Sequence, residues 1–148
     1  MAGKTSYEGF TEQERAAMKE RAAEVKSSGK RAGGKKAEAD LKDCLDKIAA
    51  MQGTDRELGE RLHAIVTKHA PELAPKTWYG MPAYANADGK VVVFYKSAAK
   101  FDMRYAEVGF QEWANLDDGD MWPTVFAVTS VDDAVAKKLT ALVKKAVS

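Results

Sequence analysis

Residues 77–84 read Thr-Trp-Tyr-Gly-Met-Pro-Ala-Tyr, and this stretch decides the fold. It opens a region, up to Phe126, that holds all three tryptophans and most of the other aromatic residues of the chain. Aromatic residues at this density, interrupted by Gly-Met-Pro and by Asp-Asp-Gly, favour short strands over a helical bundle. We therefore expect short strands around a pocket or groove in this region.

Helices are predicted on both sides of that region, because apolar residues recur there at three- and four-residue spacing. The Thr-Glu-Gln-Glu sequence at 11–14 is a capping box that starts a first helix, expected to run to about Lys26. The Thr-Asp-Arg-Glu sequence at 54–57 is a second capping box and separates the two arms of a helical hairpin. Pro71 ends the second arm, and residues 130–133 cap a terminal helix.

The strands are predicted from alternating and β-branched sequences. Asn86-Ala87-Asp88-Gly89 is a hairpin turn signal, and Val91 to Lys96 is the clearest strand. Residues 103–106 and 124–128 are two further strand candidates. The order of helices, then strands, then a helix predicts the α+β class.

The N-terminal part of the chain is expected to be an appendage. Met18, Ala22 and Val25 form only a thin apolar stripe on the first helix, so we expect weak packing. Residues 27–36 are rich in Gly, Ser and Lys, as a flexible linker is. We predict a helical extension with a basic linker over residues 1–36, dispensable for folding, followed by an α+β domain over 37–148.

Composition restricts the partners and the compartment. The 23 basic and 22 acidic residues nearly cancel, which disfavours nucleic acid as a partner. No stretch has the roughly 18 apolar residues of a membrane span or the pattern of a signal peptide, so we expect a cytoplasmic protein. The single cysteine, Cys44, lies in an apolar stripe, where a small buried hydrophobe is expected and a nucleophile is not.

Four motifs in sequence order resemble a known family. They are Trp78 to Tyr84, Gly89 to Phe94, Gly109-Phe110, and Leu116 to Thr124. Together, over about residues 37–148, they resemble the YdhG-like domain of unknown function, near the YjbR and frataxin-like folds. The resemblance implies a two-layer α+β domain with an antiparallel sheet covered by helices. Residues 10–22 also resemble an N-terminal extension of actinobacterial-type members.

The aromatic region supplies the predicted ligand-binding residues, which are Trp78, Tyr79, Met81, Tyr84, Lys96, Tyr105 and Trp122. Aromatic faces would hold an apolar ligand or a partner segment, and Lys96 or the tyrosine hydroxyls would fix its polar end. Within this set we expect Trp122 to be structural, and Trp78 and Tyr79 to line the groove. The predicted function is a non-enzymatic binding module for a small molecule or protein segment, without a cofactor.

Two alternatives stay open. Some YdhG-like relatives are described as frataxin-like intracellular iron chaperones, and here Asp117, Asp118 and Asp120 would be the iron ligands, although an Asp-Asp-Gly turn explains them as well. Glu60 and His63 have a spacing that can share a metal but are expected on solvated helix surface. A small enzyme is the other alternative. Its reaction is unidentified, because neither a nucleophile elbow nor a phosphate-binding loop is present.

Overall fold

The computed structural model describes residues 9–29 and 33–148, which form four helices and one five-stranded antiparallel sheet. The elements in chain order are α1 (Glu12–Ser28), α2 (Gly33–Ala49), α3 (Gly53–His69), β1 (Ala74–Trp78), β2 (Met81–Ala85), β3 (Val91–Lys96), β4 (Ala106–Phe110), β5 (Val125–Val128) and α4 (Asp133–Ala146). The predicted α+β class is confirmed. No helix in the described residues is long and apolar enough to span a membrane.

The sheet is a meander in which each strand pairs with the next one along the chain. Tyr79 and Gly80 alone connect β1 to β2, with φ angles of 54° and 74°, as a two-residue hairpin turn requires. The predicted turn after β2 is confirmed, since the Asn86 side chain accepts hydrogen bonds from the amides of Asp88 and Lys90, both at 3.0 Å. Strand β3 has the predicted bounds.

The predicted strand at 103–106 is wrong by several residues, because β4 begins only at Ala106 and runs to Phe110. Glycine is depleted in strands, so Gly109 concealed this element in the sequence. The structure gives the reason for the glycine. A Cβ at that position would overlap the ring of Phe94, which lies across β4 from the neighbouring strand.

The two faces of the sheet have different roles. Cross-strand partners point to the same face, so the register defines a core face that carries Tyr84, Val93, Tyr95, Val108, Phe110 and Val128. These residues form one core with the buried side chains of α2, α3 and α4. The opposite face carries Trp78, Met81, Phe94 and Lys96, none of which belongs to that core.

Only part of the predicted helical stripes is buried. Leu58, Leu62, Ile65 and Val66 of α3 are in the core as expected. On α2, Cys44 and Ile48 are buried, whereas Leu41 and Leu45 of the predicted stripe are exposed. The buried face of α2 is therefore narrower than the apolar spacing predicts.

The second predicted capping box is also wrong. Helix α3 begins at Gly53, Gln52 occupies the N-cap, and no side chain caps the helix there. Asp55 has a tertiary role instead, because its carboxylate accepts hydrogen bonds from the amides of Ala98 and Ala99 at 3.1 and 3.0 Å. Its carbonyl accepts a third from the Tyr95 hydroxyl at 2.8 Å. Asp55 thus fixes the segment after β3 to α3.

The N-terminal helix is longer than its sequence indicates. The capping box at Thr11 and Glu14 is confirmed, but α1 continues to Ser28 and α2 already begins at Gly33. Of the predicted linker at 27–36, residues 27–28 and 33–36 are helical, whereas residues 1–8 and 30–32 lie outside the described residues. Of the predicted stripe, Val25 and Ala22 are exposed, and Ala17 is the buried residue of α1.

We predict that Asp55→Ala lowers the free energy of unfolding by about 1–3 kcal/mol, because two amides lose a charged acceptor. Chemical denaturation measures the change. The matched control is Asp46→Ala, whose exposed carboxylate pairs with Lys42 on the surface of α2 and should contribute less than about 1 kcal/mol. Equal losses in the two variants would contradict the role given to Asp55.

Candidate functional site

The structure brings together only some of the predicted ligand-binding residues. Trp78, Met81 and Lys96 share the face of the sheet opposite the core, and Tyr79 follows Trp78 at the turn. Tyr84 points to the core face and is 1% exposed. Tyr105 precedes β4, and Trp122 packs against the helix-covered core. The seven residues therefore do not line one groove.

A cluster of three aromatic rings lies on the face opposite the core. The ring of Trp78 contacts that of Tyr79 edge-on, with centroids 5.0 Å apart, and its distance to the ring of Phe94 is 5.5 Å. All three side chains are half-buried. We call Trp78, Tyr79, Met81, Phe94 and Lys96 the aromatic face, in which Met81 is buried, with 8% exposure. Phe94 was not among the predicted residues, although its place in β3 at even spacing from Lys96 could have identified it.

Lys96 gives the aromatic face a charged border. Its ammonium group lies 3.8 Å from the carboxylate of its cross-strand partner Glu107 and 5.0 Å from the ring centroid of Phe101. Both members of the ion pair remain partly accessible, with side-chain exposures of 28% and 22%. An ion pair in this setting is weak and can exchange partners.

The hairpin tip, formed by Tyr79 and Gly80, binds a carboxylate from α1. The amide of Tyr79 donates to Glu24 Oε1 and the amide of Gly80 donates to Glu24 Oε2, both at 2.9 Å. Tyr79 adopts a left-handed conformation, which costs a non-glycine residue roughly 1–2 kcal/mol. Because both residues have positive φ, their successive N–H groups converge on one anion.

A second carboxylate of the same helix completes this contact. The ammonium groups of Lys47 and Lys100 lie 2.9 Å from the two oxygens of Glu20. Lys100 also donates to the carbonyl of Gly80 at 3.1 Å. We call Glu20, Glu24, the hairpin tip, Lys47 and Lys100 the α1 clasp. Sequence reasoning missed it, because nothing in the spacing of two glutamates on a polar helix points to a turn more than 50 residues later.

The electrostatics of the α1 clasp favour ionised glutamate. Burial alone would raise the pKa of Glu20, but hydrogen bonds from Lys100 and Lys47, together with their charges, hold that pKa below its ordinary value of 4.5. Arg21 adds a further cation, with its guanidinium 5.8 Å from the ring centroid of Tyr79 and 3.6 Å from Glu24. The carboxylates of the site thus come from α1, the two backbone donors come from the hairpin tip, and the cations come from α1, α2 and the segment after β3.

Two clefts elsewhere in the molecule compete with the aromatic face, which is a surface and not a cleft, as ligand sites. One, of about 610 Å³, follows β4 and is lined by Phe110, Leu116, Asp117, Asp120, Met121 and Trp122. Met121 at its edge is 89% exposed. The other, of about 580 Å³, lies between β5 and α4 and is lined largely by apolar side chains, which include Phe126, Val128, Val135, Leu139 and Leu142.

The predicted iron ligands Asp117, Asp118 and Asp120 are exposed on the segment between β4 and β5. Gly119 among them has a φ of 68°, consistent with the structural turn. Among residues 9–29 and 33–148, no three histidine, cysteine or acidic side chains are grouped so that they could hold a metal ion. The iron alternative therefore stays a prediction without support from the arrangement of these aspartates.

A buried polar cluster occupies the core under the sheet. The Tyr84 hydroxyl lies 3.0 Å from His63 Nδ1 and within hydrogen-bonding reach of Cys44. Burial raises the pKa of the Cys44 thiol to about 11 and lowers that of His63. His63 is half-exposed on the surface of α3 and turns Nδ1 toward Tyr84, while the expected burial of Cys44 is confirmed.

Comparisons of the chain with protein-family models, with curated proteins and with solved structures find no match. The resemblance to the YdhG-like family therefore stays a prediction, and the function has to be argued from the geometry of the site.

We predict that Gly80→Ala weakens the attachment of α1, whereas Gly89→Ala does not. Both glycines have positive φ, 74° and 77°, so both variants carry a similar backbone penalty of about 1 kcal/mol. At Gly80 a Cβ would also overlap the Glu20 carboxylate and the Lys100 ammonium group, whereas at Gly89 it meets open space. Hydrogen exchange of the α1 amides should accelerate only in Gly80→Ala; equal exchange in both variants would contradict the contact.

A pH dependence follows from Glu20. Because its folded pKa is depressed, its contribution to stability is present above about pH 4.5 and is lost as the pH falls through the lower folded pKa. The free energy of unfolding of wild type and Glu20→Gln should differ near neutral pH and converge in acid. Denaturation at a series of pH values measures this, with Glu12→Gln as the exposed-carboxylate control. A constant difference down to pH 3 would count against the ion pairs.

Proposed function

We propose that this protein is a cytoplasmic, non-enzymatic binding module whose ligand-binding surface is the aromatic face. The ligand is a small molecule with a flat apolar body, or an extended protein segment that carries one. Its body would lie against Trp78 and Phe94, and Lys96 at the border would meet a polar group. The half-exposed Trp78–Phe94 pair, on the sheet face opposite the helix-covered core, carries the proposal.

The packing of Phe94 supports a binding role for this face. Its ring lies over Gly109, where any side chain would displace it, so the ring is supported from below while one side stays accessible. Such an arrangement presents a flat apolar surface with little conformational freedom left to lose, which favours binding of flat ligands. Trp78 extends the same surface toward the hairpin tip.

The titratable groups of the core support binding over catalysis. A nucleophilic thiol must be ionised and accessible, whereas Cys44 is fully buried and its pKa is raised to about 11. Burial also raises the pKa of Tyr84 and of Tyr95, which are engaged with His63 and Asp55. Each of these groups already has a structural partner within the core.

We predict that Trp78→Ala abolishes or strongly weakens ligand binding at the aromatic face. The probe is a library of neutral aromatic fragments, observed by the tryptophan indole and backbone resonances of ¹⁵N-labelled protein. Fragments should shift the Trp78 indole and the Phe94 amide, and Trp78→Ala should weaken their binding by about tenfold or more, as loss of a large aromatic contact does.

The matched control is Trp113→Ala, because Trp113 is 47% exposed and its ring partner is Lys90 rather than Phe94. This variant should bind the same fragments with unchanged affinity. If the fragments shift only the resonances of residues around Trp122, or only those of residues between β5 and α4, the ligand site lies in one of those clefts. This result would refute the proposal.

A further inference from the structure

The hairpin tip is constructed as a receptor for an oxyanion. Two consecutive amides, of Tyr79 and Gly80, each donate to one oxygen of the same carboxylate at 2.9 Å. Backbone N–H groups that converge in this way bind carboxylate and phosphate oxygens alike, because they recognise charge and not the rest of the ligand. Tyr79 has the left-handed conformation that the first residue of a two-residue hairpin turn adopts, and in this turn its amide and that of Gly80 point at the same carboxylate.

Two ammonium groups extend the receptor. Lys47 and Lys100 both reach Glu20, and Lys100 is anchored to the tip by its hydrogen bond to the carbonyl of Gly80. A cleft of about 220 Å³ leads from solvent to Glu24 between α1, α2 and β1. Arg21, Lys36 and Lys76 line this cleft together with Asp40 and Asp43. The cleft carries three cationic and three acidic side chains, so attraction for a small anion comes from Lys47, Lys100 and the two amides of the tip.

The helix that occupies the receptor is held mainly by charge. Ala17 is its buried apolar residue, and Val25 is 55% exposed. The carboxylates of Glu20 and Glu24 keep 29% and 15% side-chain exposure, so water and ions reach them. Contacts of this kind open more readily than a packed apolar interface.

We propose that the hairpin tip is an oxyanion-binding site that α1 occupies with its own carboxylates, and that a carboxylate or phosphate group of a ligand competes with Glu24 and Glu20 for it. The inference rests on the proposed function, since it supplies the anionic end of a ligand whose apolar body lies on Trp78 and Phe94. Trp78 immediately precedes the tip in the chain, and the proposal requires one ligand to reach both. Helix α1 then acts as an internal competitor.

Competition has a measurable consequence. A ligand that binds only when α1 has left the tip shows an affinity reduced by the fraction of molecules with an open tip. Removing the two carboxylates of α1 should therefore raise the affinity for small anions. It should leave the affinity of neutral fragments for the aromatic face nearly unchanged.

The test compares full-length wild type with Glu20→Ala/Glu24→Ala. The probes are inorganic phosphate and acetate, titrated at constant ionic strength against chloride, and the readout is the amide resonances of Tyr79 and Gly80. We expect both resonances to move with phosphate, acetate or both, and the affinity in the double variant to exceed that of wild type by about tenfold or more. Which of the two anions binds identifies the source of the oxyanion.

The charge-matched control is Glu38→Ala/Glu57→Ala, which removes two exposed carboxylates elsewhere on the surface and should retain wild-type affinity. Adding Lys100→Ala to the open variant should reverse the gain. If neither phosphate nor acetate moves the two resonances in the folded double variant, the anion site is refuted. Neutral-fragment binding at Trp78 is measured in the same sample, so failure of the proposed function is seen separately.

A second measurement applies should the double variant not fold. In wild type, phosphate should accelerate hydrogen exchange of the α1 amides relative to chloride at equal ionic strength, because it displaces the helix from the tip. Exchange of the α3 amides, which include those of core residues Leu58 and Leu62, should not change. Equal α1 exchange in phosphate, acetate and chloride would refute the competition.

Discussion

The structure depends on the alternation of side chains across a one-sided sheet. Tyr84, Val93 and Val108 point to the face that α2, α3 and α4 cover, and the period of two then sends Trp78 and Phe94 to the other face. The core fixes the register, because a slip by one residue would place every buried side chain in water. The register therefore also places Trp78 and Phe94 on the face that α2, α3 and α4 do not cover. The register of the strands thus determines both which side chains form the core and which form the candidate site.

The hairpin tip connects the two faces to the N-terminal helix. A two-residue hairpin turn gives little freedom, since its favoured types need positive φ at one or both residues. Here both have it, and their amides point to the carboxylate of Glu24. Because Gly80 has no Cβ, Glu20 and Lys100 can approach its backbone. Turn geometry, helix attachment and anion recognition therefore depend on the same dipeptide.

Local signals in the sequence predicted the helices, the turn at Asn86 and the strand at Val91 to Lys96. These local signals gave wrong predictions where tertiary contacts determine the local structure. The second capping box did not form, because the helix begins at Gly53 and Thr54 is already inside it rather than at the N-cap. Gly109 weakened the prediction of β4, since the sequence does not show that Phe94 needs its space. For the site, aromatic density predicted the neighbourhood of Trp78 but could not separate Tyr84, which is core, from Phe94, which is surface.

The meander order of the sheet also has a kinetic consequence. Every strand pairs with its neighbour in the chain, so the sheet grows by closing short loops, which favours rapid folding. The hydrogen bonds of α1 behave differently, since those to Tyr79, Gly80 and Lys100 span 55, 56 and 80 residues. Their partners converge only after β1, β2 and the segment after β3 are in place. Helix α1 should therefore dock last during folding and detach first during unfolding, as a separate cooperative unit on a finished core.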